Sequence, residues 1–571
     1  MQTSSISNQD QSQRWFVRLL PSFNDLAFLI PILFLFVHLN GAKRMLGDGD
    51  TGWHIRTGEW ILAHHSVPRV DLFSFSKPGQ SWFAWEWMWD VFFAAIHNYS
   101  GLTGVVFVNI ALLGLVFVLL YRLVCRQTSN SLVALGVTFL AMAASSLHWL
   151  ARPHLLAWVL LLIFCLVLDE IRKGRKRLFW VLPLLTAVWT NVHGSFFIGI
   201  ALLLIYGFGD LVEGWLWSSS ESKGATFQRA RMLLLCAWAC SVATLLNPYG
   251  LNLHRHVIAY LLDTRQLDNI GEFQSISFHL HGAIYFEAML FLALFAVCWC
   301  GGRRRVADVL IVAAWTHLAL LSCRNIPIFA FFAAPLVAGM IQDVAARTAT
   351  SSSASIIRRL ASTVRDLGSE FCELERVPRL HLVSAGAVLA LALLFTAPNR
   401  PGSFVAEYDP HLYPVAALKV LESHVDSRIF ADDQWGDYLI YKLYPRYKVF
   451  IDGRSDFYGA DFDNRLLNLV NAHYDWESSL SEFGIDTVLV RADAPLVEAL
   501  KKSRQWSVVY DDGFAIVFRA EQGHPGATQA RAAHQNVSPV SPVGDKGLPA
   551  IAAGKPEPST LAIKPLERRI S

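Results

Sequence analysis

The apolar residues of this chain fall into blocks of about 16 to 22 residues, separated by short charged stretches. A helix of that length crosses about 30 Å of hydrocarbon, whereas a soluble core would be interrupted by polar residues more often. The pattern therefore predicts a membrane all-α protein with about 11 transmembrane helices. The predicted spans are 23–39, 103–121, 132–148, 155–168, 179–191, 195–213, 232–246, 284–300, 306–322, 326–341 and 382–397.

Lys and Arg are concentrated in alternate short loops, which the positive-inside rule assigns to the cytoplasm. The N-terminal segment 1–22, with Arg14 and Arg18, belongs to the same side, and Lys43 and Arg44 are the exception. An odd number of spans then places the C-terminal part outside. We expect a multi-pass protein of a bacterial inner membrane. The basic loops carry Arg122, Arg126, the run 172–177, Lys223, Arg229, Arg231, the run 303–305, Arg347, Arg358, Arg359, Arg365, Arg376 and Arg379.

The first outer loop, residues 45–102, is predicted to be a structured module within the membrane domain 23–397. Its segment 51–64 is helical in pattern, and the stretch 85–97 mixes Trp with acids, as helices on a membrane surface do. We expect two surface helices joined by residues 66–80.

From residue 400 onward, short β-like runs alternate with helical stretches, which predicts a C-terminal extracytoplasmic α/β domain over 398–520. Residues 521–571 are rich in Pro, Ala, Gly and Ser, and we expect a disordered tail. The β-like runs are Arg428–Ala431, Lys448–Asp452, Thr487–Arg491, Ser507–Tyr510 and Ala515–Arg519, and the helical stretches are 413–424, 463–472 and 495–503.

Composition agrees with a membrane protein and excludes one class of partner. The 571 residues are 53% hydrophobic and 17% charged, against roughly 25% charged residues in soluble domains. The formal net charge is only +3, and no basic stripe is typical of a nucleic-acid surface. The lipid bilayer is thus the first predicted partner, and no nucleic acid is expected.

Polar residues other than cytoplasmic Lys and Arg gather at the outer ends of the predicted spans. Each group could be a helix cap or a turn, but five such ends with three His and two Arg suggest a polar cavity open to the outside. Charges at mid-span, which ion-coupled transporters need, are lacking. The candidates for substrate binding at these ends are Arg152, His154, Asn191, His193, Arg324 and Asn325, and Glu86 in the stretch 85–97 is a further candidate.

The densest polar cluster is Asp48-Gly-Asp50, followed by His54 and Arg56. Two carboxylates one residue apart, with a His and an Arg within two turns, can accept a proton or bind a cation. In the alternative interpretation, Asp50 or Thr51 caps the following helix. A cap explains one acid but neither Asp48 nor the nearby His54.

Acids also follow two β-like runs of the C-terminal domain, at Asp432-Asp433 and at Asp452-Gly-Arg454-Ser-Asp456. Ligands of open α/β sheets bind beyond the carboxyl ends of strands, so Asp452 and Arg454 are candidates for contacts with acceptor hydroxyls. The alternative is that these are ordinary turns between strand and helix.

An acidic motif directly after the first span, two surface helices, many further spans and an outer α/β domain together resemble the GT-C superfamily of polyprenyl-phosphate-dependent glycosyltransferases. Asp48-Gly-Asp50 with Arg56 is similar to the acidic motif of oligosaccharyltransferase catalytic subunits. The string from Asp50 through Trp60 to Phe75 resembles bacterial membrane proteins grouped as family-39-like glycosyltransferases.

The resemblance implies sugar transfer from a polyprenyl-phosphate-linked donor to a glycan, lipid or protein acceptor, with inversion. It makes Asp50 the catalytic base, with Asp48 and His54 assisting, and Arg56, Arg152 and Arg324 ligands of the carrier phosphate. If a cation binds, Asp48 and Asp50 hold it.

Two departures from the family pattern limit what the resemblance implies. The second outer loop, residues 147–154, lacks any acid, which argues against a divalent metal. Gln434-Trp-Gly-Asp-Tyr438 is similar to the family's acceptor motif but differs in order, so recognition of a peptide sequon is not implied. The alternatives are a catalytically silent scaffold of GT-C type and a transporter or ligase of lipid-linked saccharides.

Overall fold

The computed structural model describes residues 17–299, 306–350, 356–423 and 427–521. Most of the predicted N-terminal segment 1–22 and nearly all of the predicted tail 521–571 lie outside the described residues. The first part of the described chain is helical. Its helices are α1 Phe23–His38, α2 Ala42–Met45, α3 Thr51–His64, α4 Trp87–Cys125, α5 Ser131–Ser145, α6 His154–Arg172, α7 Val181–Thr190, α8 Phe197–Leu216, α9 Ser220–Ala243, α10 Leu251–Leu262, α11 Thr264–Leu267, α12 Ala283–Trp299, α13 Val306–Leu321, α14 Ile326–Ala349, α15 Ile356–Glu375 and α16 Leu382–Thr396.

A helix forms at the place of each predicted span, but the count of 11 crossings is not confirmed. In the described chain, six helical segments are long and apolar enough to cross a membrane, and α12, α13 and α16 are shorter apolar helices. In the predicted span 179–191 the α-helix has only the ten residues of α7, and the predicted span 232–246 begins within α9 and extends past its end at Ala243. The six long segments are Val17–His38, Trp87–Cys125, Ser131–His148, His154–Arg172, Gly194–Leu216 and Cys323–Ala349.

The first loop contains helices at both predicted places. Gly101, with φ 63° and ψ −163°, breaks α4 into a first part that begins at Trp87 and a longer apolar part that begins at Leu102. Glycine adopts this positive φ without steric cost, so the chain can turn there from one helical axis to another. The break separates the Trp-rich stretch from the predicted span, and a position of that stretch on the membrane surface stays a prediction.

The C-terminal part is a small α/β unit with a four-stranded sheet of order β1-β2-β4-β3. Strand β1 is parallel to β2, whereas β4 is antiparallel to both β2 and β3. The strands are β1 Ile429–Phe430, β2 Thr487–Arg491, β3 Trp506–Asp511 and β4 Ala515–Ala520, and the helices are α17 Leu418–Glu422, α18 Asp433–Leu443, α19 Ser455–Tyr458, α20 Ala460–Val470, α21 Trp476–Glu482 and α22 Pro495–Lys502.

The prediction of a strand over Lys448–Asp452 was wrong. Val449 instead forms isolated parallel bridges to Ser74 of the first loop and to Ile429 of β1. The apolar run is buried because it lies between the first loop and the sheet, and burial on both sides gives the same hydrophobic signal as a strand.

The C-terminal unit packs directly on the first loop through α18 and α3. A Cβ atom on Gly52 would lie 2.8 Å from the Asp437 carbonyl oxygen, and one on Gly49 would lie 2.7 Å from the Asp437 Cβ. These glycines therefore allow close approach of α18 to the acidic motif. Buried side chains from α1 to β4 form one continuous apolar core.

Candidate functional site

Arg152, in the short connection between α5 and α6, brings together the acid pair of the first loop and one carboxylate that is distant in the sequence. Its Nη1 lies 3.0 Å from Asp48 Oδ2 and 2.7 Å from Glu272 Oε1, and its Nη2 lies 2.5 Å from Asp50 Oδ2. The Arg152 side chain remains 19% exposed. One guanidinium thus balances three acids at a place that solvent can reach.

Asp50 is not a helix cap. It occupies the N-cap position of α3, but its side chain makes no capping hydrogen bond and Oδ2 turns to Arg152 instead. The capping interpretation is therefore wrong. Burial, reinforced by the charges of Asp48 and Glu272 and opposed by Arg152, raises the pKa of Asp50 to about 8. A carboxyl group with such a pKa exchanges its proton near neutral pH.

The sequence interpretation missed Glu272, which lies in the short helical turn Gly271–Phe273 before α12. Its Oε2 is 3.9 Å from His148 Nε2 and 4.0 Å from Arg324 Nε. Burial raises the pKa of Glu272, but Arg152, His148 and Arg324 outweigh burial and hold it below its usual range. Glu272 thus supplies the acid that the second outer loop lacks, and it brings Arg324 to the cluster.

A second group of buried polar side chains surrounds Glu86. Its carboxylate lies 3.7 Å from His54 Nε2 and 3.8 Å from His193 Nε2, and His54 Nδ1 is 2.6 Å from Asp90 Oδ1. Burial raises the pKa of Glu86 to about 8, with Asp50 adding to the shift. Burial lowers the pKa of His193 to about 3 and that of His54 well below its ordinary value. Both rings are thus neutral at pH 7, and Glu86 can hold a proton.

Three other predicted residues at helix ends, His154, Asn191 and Asn325, form hydrogen bonds with neighbouring parts of the protein. His154 Nε2 lies 2.8 Å from the His148 carbonyl oxygen, and Asn191 Oδ1 accepts from Trp87 Nε1 at 2.7 Å. Asn325 donates to the carbonyl of Leu318 at 3.3 Å.

Arg152, Asp48, Asp50 and Glu272 are called the Arg152 group below, and Arg56 does not belong to it. Arg56 pairs with Glu59 at 2.6 Å and donates to the Tyr441 carbonyl of α18.

The C-terminal unit contributes Asp437 and Gly453 to the surroundings of Asp50. Asp437 Oδ1 accepts from the Gly453 N–H at 2.9 Å, while Oδ2 is buried without a hydrogen-bond partner among the described residues. A Cβ atom on Gly453 would lie 2.3 Å from Asp50 Oδ1 and 2.6 Å from Asp437 Oδ2. Burial, with Asp50 and Asp452, raises the pKa of Asp437 well above its ordinary value. Asp437 belongs to the Gln434–Tyr438 motif, yet the sequence alone did not mark it as a site residue.

Asp452 and Arg454 form a buried clamp to the first loop. Arg454 Nε donates to Asp452 Oδ1 at 2.7 Å, and Nη2 lies 2.6 Å from Asp452 Oδ2 and 2.7 Å from Asp71 Oδ1. Tyr458 donates to Asp452 Oδ2 at 2.9 Å. Both oxygens of Asp452 are thus engaged within the protein.

The residues around Asp50 do not fit a divalent metal in this arrangement. Arg152 bridges the oxygens of Asp48 and Asp50 that a metal ion would have to share. Within the described ranges, no three His, Cys, Asp or Glu side chains are grouped as metal ligands are. The positive charge at the acid pair is therefore a guanidinium.

Comparisons with known proteins support the fold. No protein-family model matches the chain, and no curated protein matches it. Solved structures do match. The oligosaccharyltransferase AglB of Archaeoglobus fulgidus, in complex with an inhibitory peptide and a dolichol-phosphate, aligns with 90% of this chain and 75% of its own, at TM-score 0.51 and 12% identity.

The oligosaccharyltransferase of the same organism, tethered to an acceptor peptide, aligns with 90% of this chain and 74% of its own, also at TM-score 0.51 and 12% identity. The fold of this chain is therefore similar to that of an oligosaccharyltransferase, as the first-loop acids suggest.

Proposed function

We propose that this protein is an integral membrane glycosyltransferase of GT-C type that transfers a sugar from a polyprenyl-phosphate-linked donor to an extracytoplasmic acceptor. The observation that carries the proposal is the Asp50 carboxylate, which is bound to Arg152 at 2.5 Å rather than capping α3. The pair of Asp50 and Arg152 provides a proton acceptor and a cation that can bind phosphate, at one partly exposed place in an oligosaccharyltransferase-like fold.

In the proposed reaction, Asp50 removes the proton of the acceptor nucleophile, a hydroxyl or an amide, as that atom forms its bond to the anomeric carbon of the sugar. The bond from that carbon to the carrier phosphate breaks, and its electron pair leaves with the polyprenyl phosphate. Arg152 and Arg324, with side chains 19% and 29% exposed, stabilise the growing negative charge. A single displacement inverts the anomeric centre.

Glu86 and the neutral His54 form the proposed second layer of the site. His54 follows Asp50 by one helical turn on α3, and its Nε2 lies 3.7 Å from the Glu86 carboxyl group. Asp48, with its 3.0 Å contact, is one of the three acids that hold Arg152 in place.

The test is the substitution Asp50→Asn, which preserves shape but removes basicity. We expect sugar transfer to fall by roughly 10²–10⁴-fold, with expression and thermal unfolding close to wild type. Transfer is followed by mass spectrometry of the product made by the purified protein from a lipid-linked sugar. Asp461→Asn is the matched control, because Asp461 is 91% exposed on the C-terminal unit.

Full transfer by the Asp50→Asn protein would show that Asp50 is not the base of the reaction. Absence of transfer by the wild type would favour the catalytically silent scaffold. Movement of the lipid-linked sugar across the membrane without a transferred product would favour the transporter instead.

A further inference from the structure

A cavity of about 580 Å³ lies at the ends of α6, α8 and α14 that are opposite the candidate site. It is bounded by these helices together with the end of α4 and the start of α13. Along α14 its lining extends from Phe331 to Asp343, a rise of about 18 Å along the helix. The cavity thus reaches deep between the helices from the face that the basic loops assign to the cytoplasm.

The cavity is separate from the candidate site. Phe331 at its inner end is fully buried and contacts Trp158 at a ring distance of 5.5 Å, and Trp158 contacts His154 at 4.9 Å. These buried aromatic side chains lie between the cavity and His154, and the lining of the cavity contains none of Asp48, Asp50, Arg152 and Glu272.

The outer part of the cavity carries charges of both signs. Arg126 and Lys173 both pair with Asp169, at 3.0 Å and 2.7 Å. Arg172 lies 3.9 Å above the Tyr206 ring. Within the described part of the chain, no ion pair of Asp343 is found. Charged side chains at helices that span a bilayer usually face water or a ligand, because burial in hydrocarbon is costly.

The Tyr206 hydroxyl donates to Asp308 Oδ1 at 3.3 Å, which places an acid on the wall beside Arg172. The inner part is apolar, with Leu202, Ile311 and Phe332 among its lining residues. A fitting ligand therefore has an apolar body and a head that carries both a negative and a positive group. Asp308 and Asp343 would repel a head that carries only negative charge, and Arg172 would repel a head that carries only positive charge.

We propose that this cavity binds a zwitterionic phospholipid, with the phosphate near Arg172, the ammonium near Asp343 and the start of an acyl chain against the apolar wall. The volume lies in the range of roughly 300–1,000 Å³ that is usual for ligand sites. Basic pockets between transmembrane helices bind lipid headgroups elsewhere, and the acids here select a head that has an ammonium. The proposal does not depend on the proposed transferase activity.

The experiment measures lipids retained by the full-length protein in native mass spectrometry, after exchange into detergent with equal amounts of phosphatidylethanolamine, phosphatidylcholine and phosphatidylglycerol. We expect one phosphatidylethanolamine per chain, with weaker retention of the other two. Arg172→Gln should lower this retention about tenfold or more, because a charge-assisted contact to phosphate is lost. Arg175→Gln is the matched control, since Arg175 is 74% exposed and pairs with Glu170 outside the cavity.

A second variant keeps the proposal testable if Arg172→Gln does not fold. Asp343→Asn removes the partner of the ammonium and the repulsion toward an anionic head, so the preference should move from phosphatidylethanolamine to phosphatidylglycerol. Asp366→Asn on α15, an exposed acid, should leave the preference unchanged.

Equal retention of all three lipids by the wild type, or equal effects of Arg172→Gln and Arg175→Gln, would overturn the proposal. Soluble phosphoethanolamine that displaces the lipid completely at low concentration would also overturn it, and would assign the cavity to a free phosphorylated amine.

Discussion

Two arginines, Arg152 and Arg454, each bind several carboxylates at the contact between the first loop and its neighbours, yet the two groups differ in how fully their acids are satisfied. Arg454 is 1% exposed and binds Asp452 and Asp71. The oxygens of Asp71 also accept from the N–H groups of Phe73 and Ser74, at 3.2 Å and 2.9 Å.

The Arg152 group combines partial exposure with an excess of acid. Its Asp48, Asp50 and Glu272 share one guanidinium, and Asp437 next to Asp50 retains an oxygen without a hydrogen-bond partner among the described residues. The oxygens of Asp71 and Asp452 all accept hydrogen bonds within the protein, so these acids have no acceptor left for a ligand or a proton. The Nη1 atom of Arg454 has no hydrogen-bond partner among the described residues. The comparison therefore indicates that Arg454 fastens two parts of the fold, whereas Arg152 holds groups that can react.

The largest effect that separates the two groups is expected on folding. Arg454→Gln leaves Asp71 and Asp452 buried without their cation, and removal of one partner of a buried ion pair costs about 3–5 kcal/mol. We expect the midpoint of thermal unfolding to fall strongly and little folded protein to be recovered.

Arg152→Gln is the counterpart that sharpens the comparison. It should lower sugar transfer by roughly 10²–10³-fold through loss of a charged stabilising contact, while the unfolding midpoint falls less than in Arg454→Gln. Equal losses of stability in the two variants would show that both groups are structural.

The next largest effect should come from Gly453→Ala, which adds a methyl group between Asp50 and Asp437. The new Cβ would lie 2.3 Å from Asp50 Oδ1, so the carboxylate must move away from its contact with Arg152. Overpacking of this kind costs about 1–3 kcal/mol, and we expect transfer to fall at least tenfold. Gly402→Ala is the control, because a Cβ atom there meets nothing within 4 Å. Unchanged transfer by Gly453→Ala would remove Asp50 from the reacting centre.

The sequence predicted those parts of the site that are local in the chain. Asp48 and Asp50 stand in one short motif, and the apolar blocks correspond to helices because both signals are read over neighbouring residues. Glu272 is an isolated acid in a loop, and only folding brings it to Arg152 from 120 positions away. Such an acid gives no local signal of its role.

Helix α18 was missed for a different reason. Gly436 lies in its interior and lowers helix propensity, and the structure explains the glycine by packing. A Cβ atom at this position would lie 1.9 Å from the carbonyl oxygen of Ile451. The close approach of the two segments brings Asp437 to Gly453 and hence to Asp50.

The rate of transfer should depend on pH through Asp50. The pKa of Asp50 is raised to about 8, so its basic form grows about tenfold per pH unit up to that value. Transfer should therefore rise from pH 6 to pH 8 and then level off.

Stability should change in the opposite direction. The folded-state pKa values of Asp50 and Glu86, both raised to about 8, exceed their unfolded values, so the folded protein binds these protons more tightly. Stability is then greatest below pH 4 as far as these groups contribute, and it declines as pH rises through 8. Thermal unfolding at pH 6 and pH 9 measures the decline, and Glu86→Gln should make it smaller. A decline that Glu86→Gln leaves unchanged would contradict the assignment.

The smallest effect is expected for Asp48→Asn, measured with and without a chelator. Asp48 touches Arg152 through Oδ2 and accepts the Asp50 N–H through Oδ1 at 2.9 Å, and an Asn side chain can retain the second contact. Asp50 and Glu272 still bind the guanidinium, so Arg152 should stay in place and transfer should fall by less than about tenfold, well below the loss for Asp50→Asn. If Asp48 and Asp50 instead held one divalent cation, the two substitutions would be equally severe, and chelator would inhibit the wild type. With Arg152 as the resident cation, chelator should leave the rate of transfer unchanged in both the wild type and Asp48→Asn.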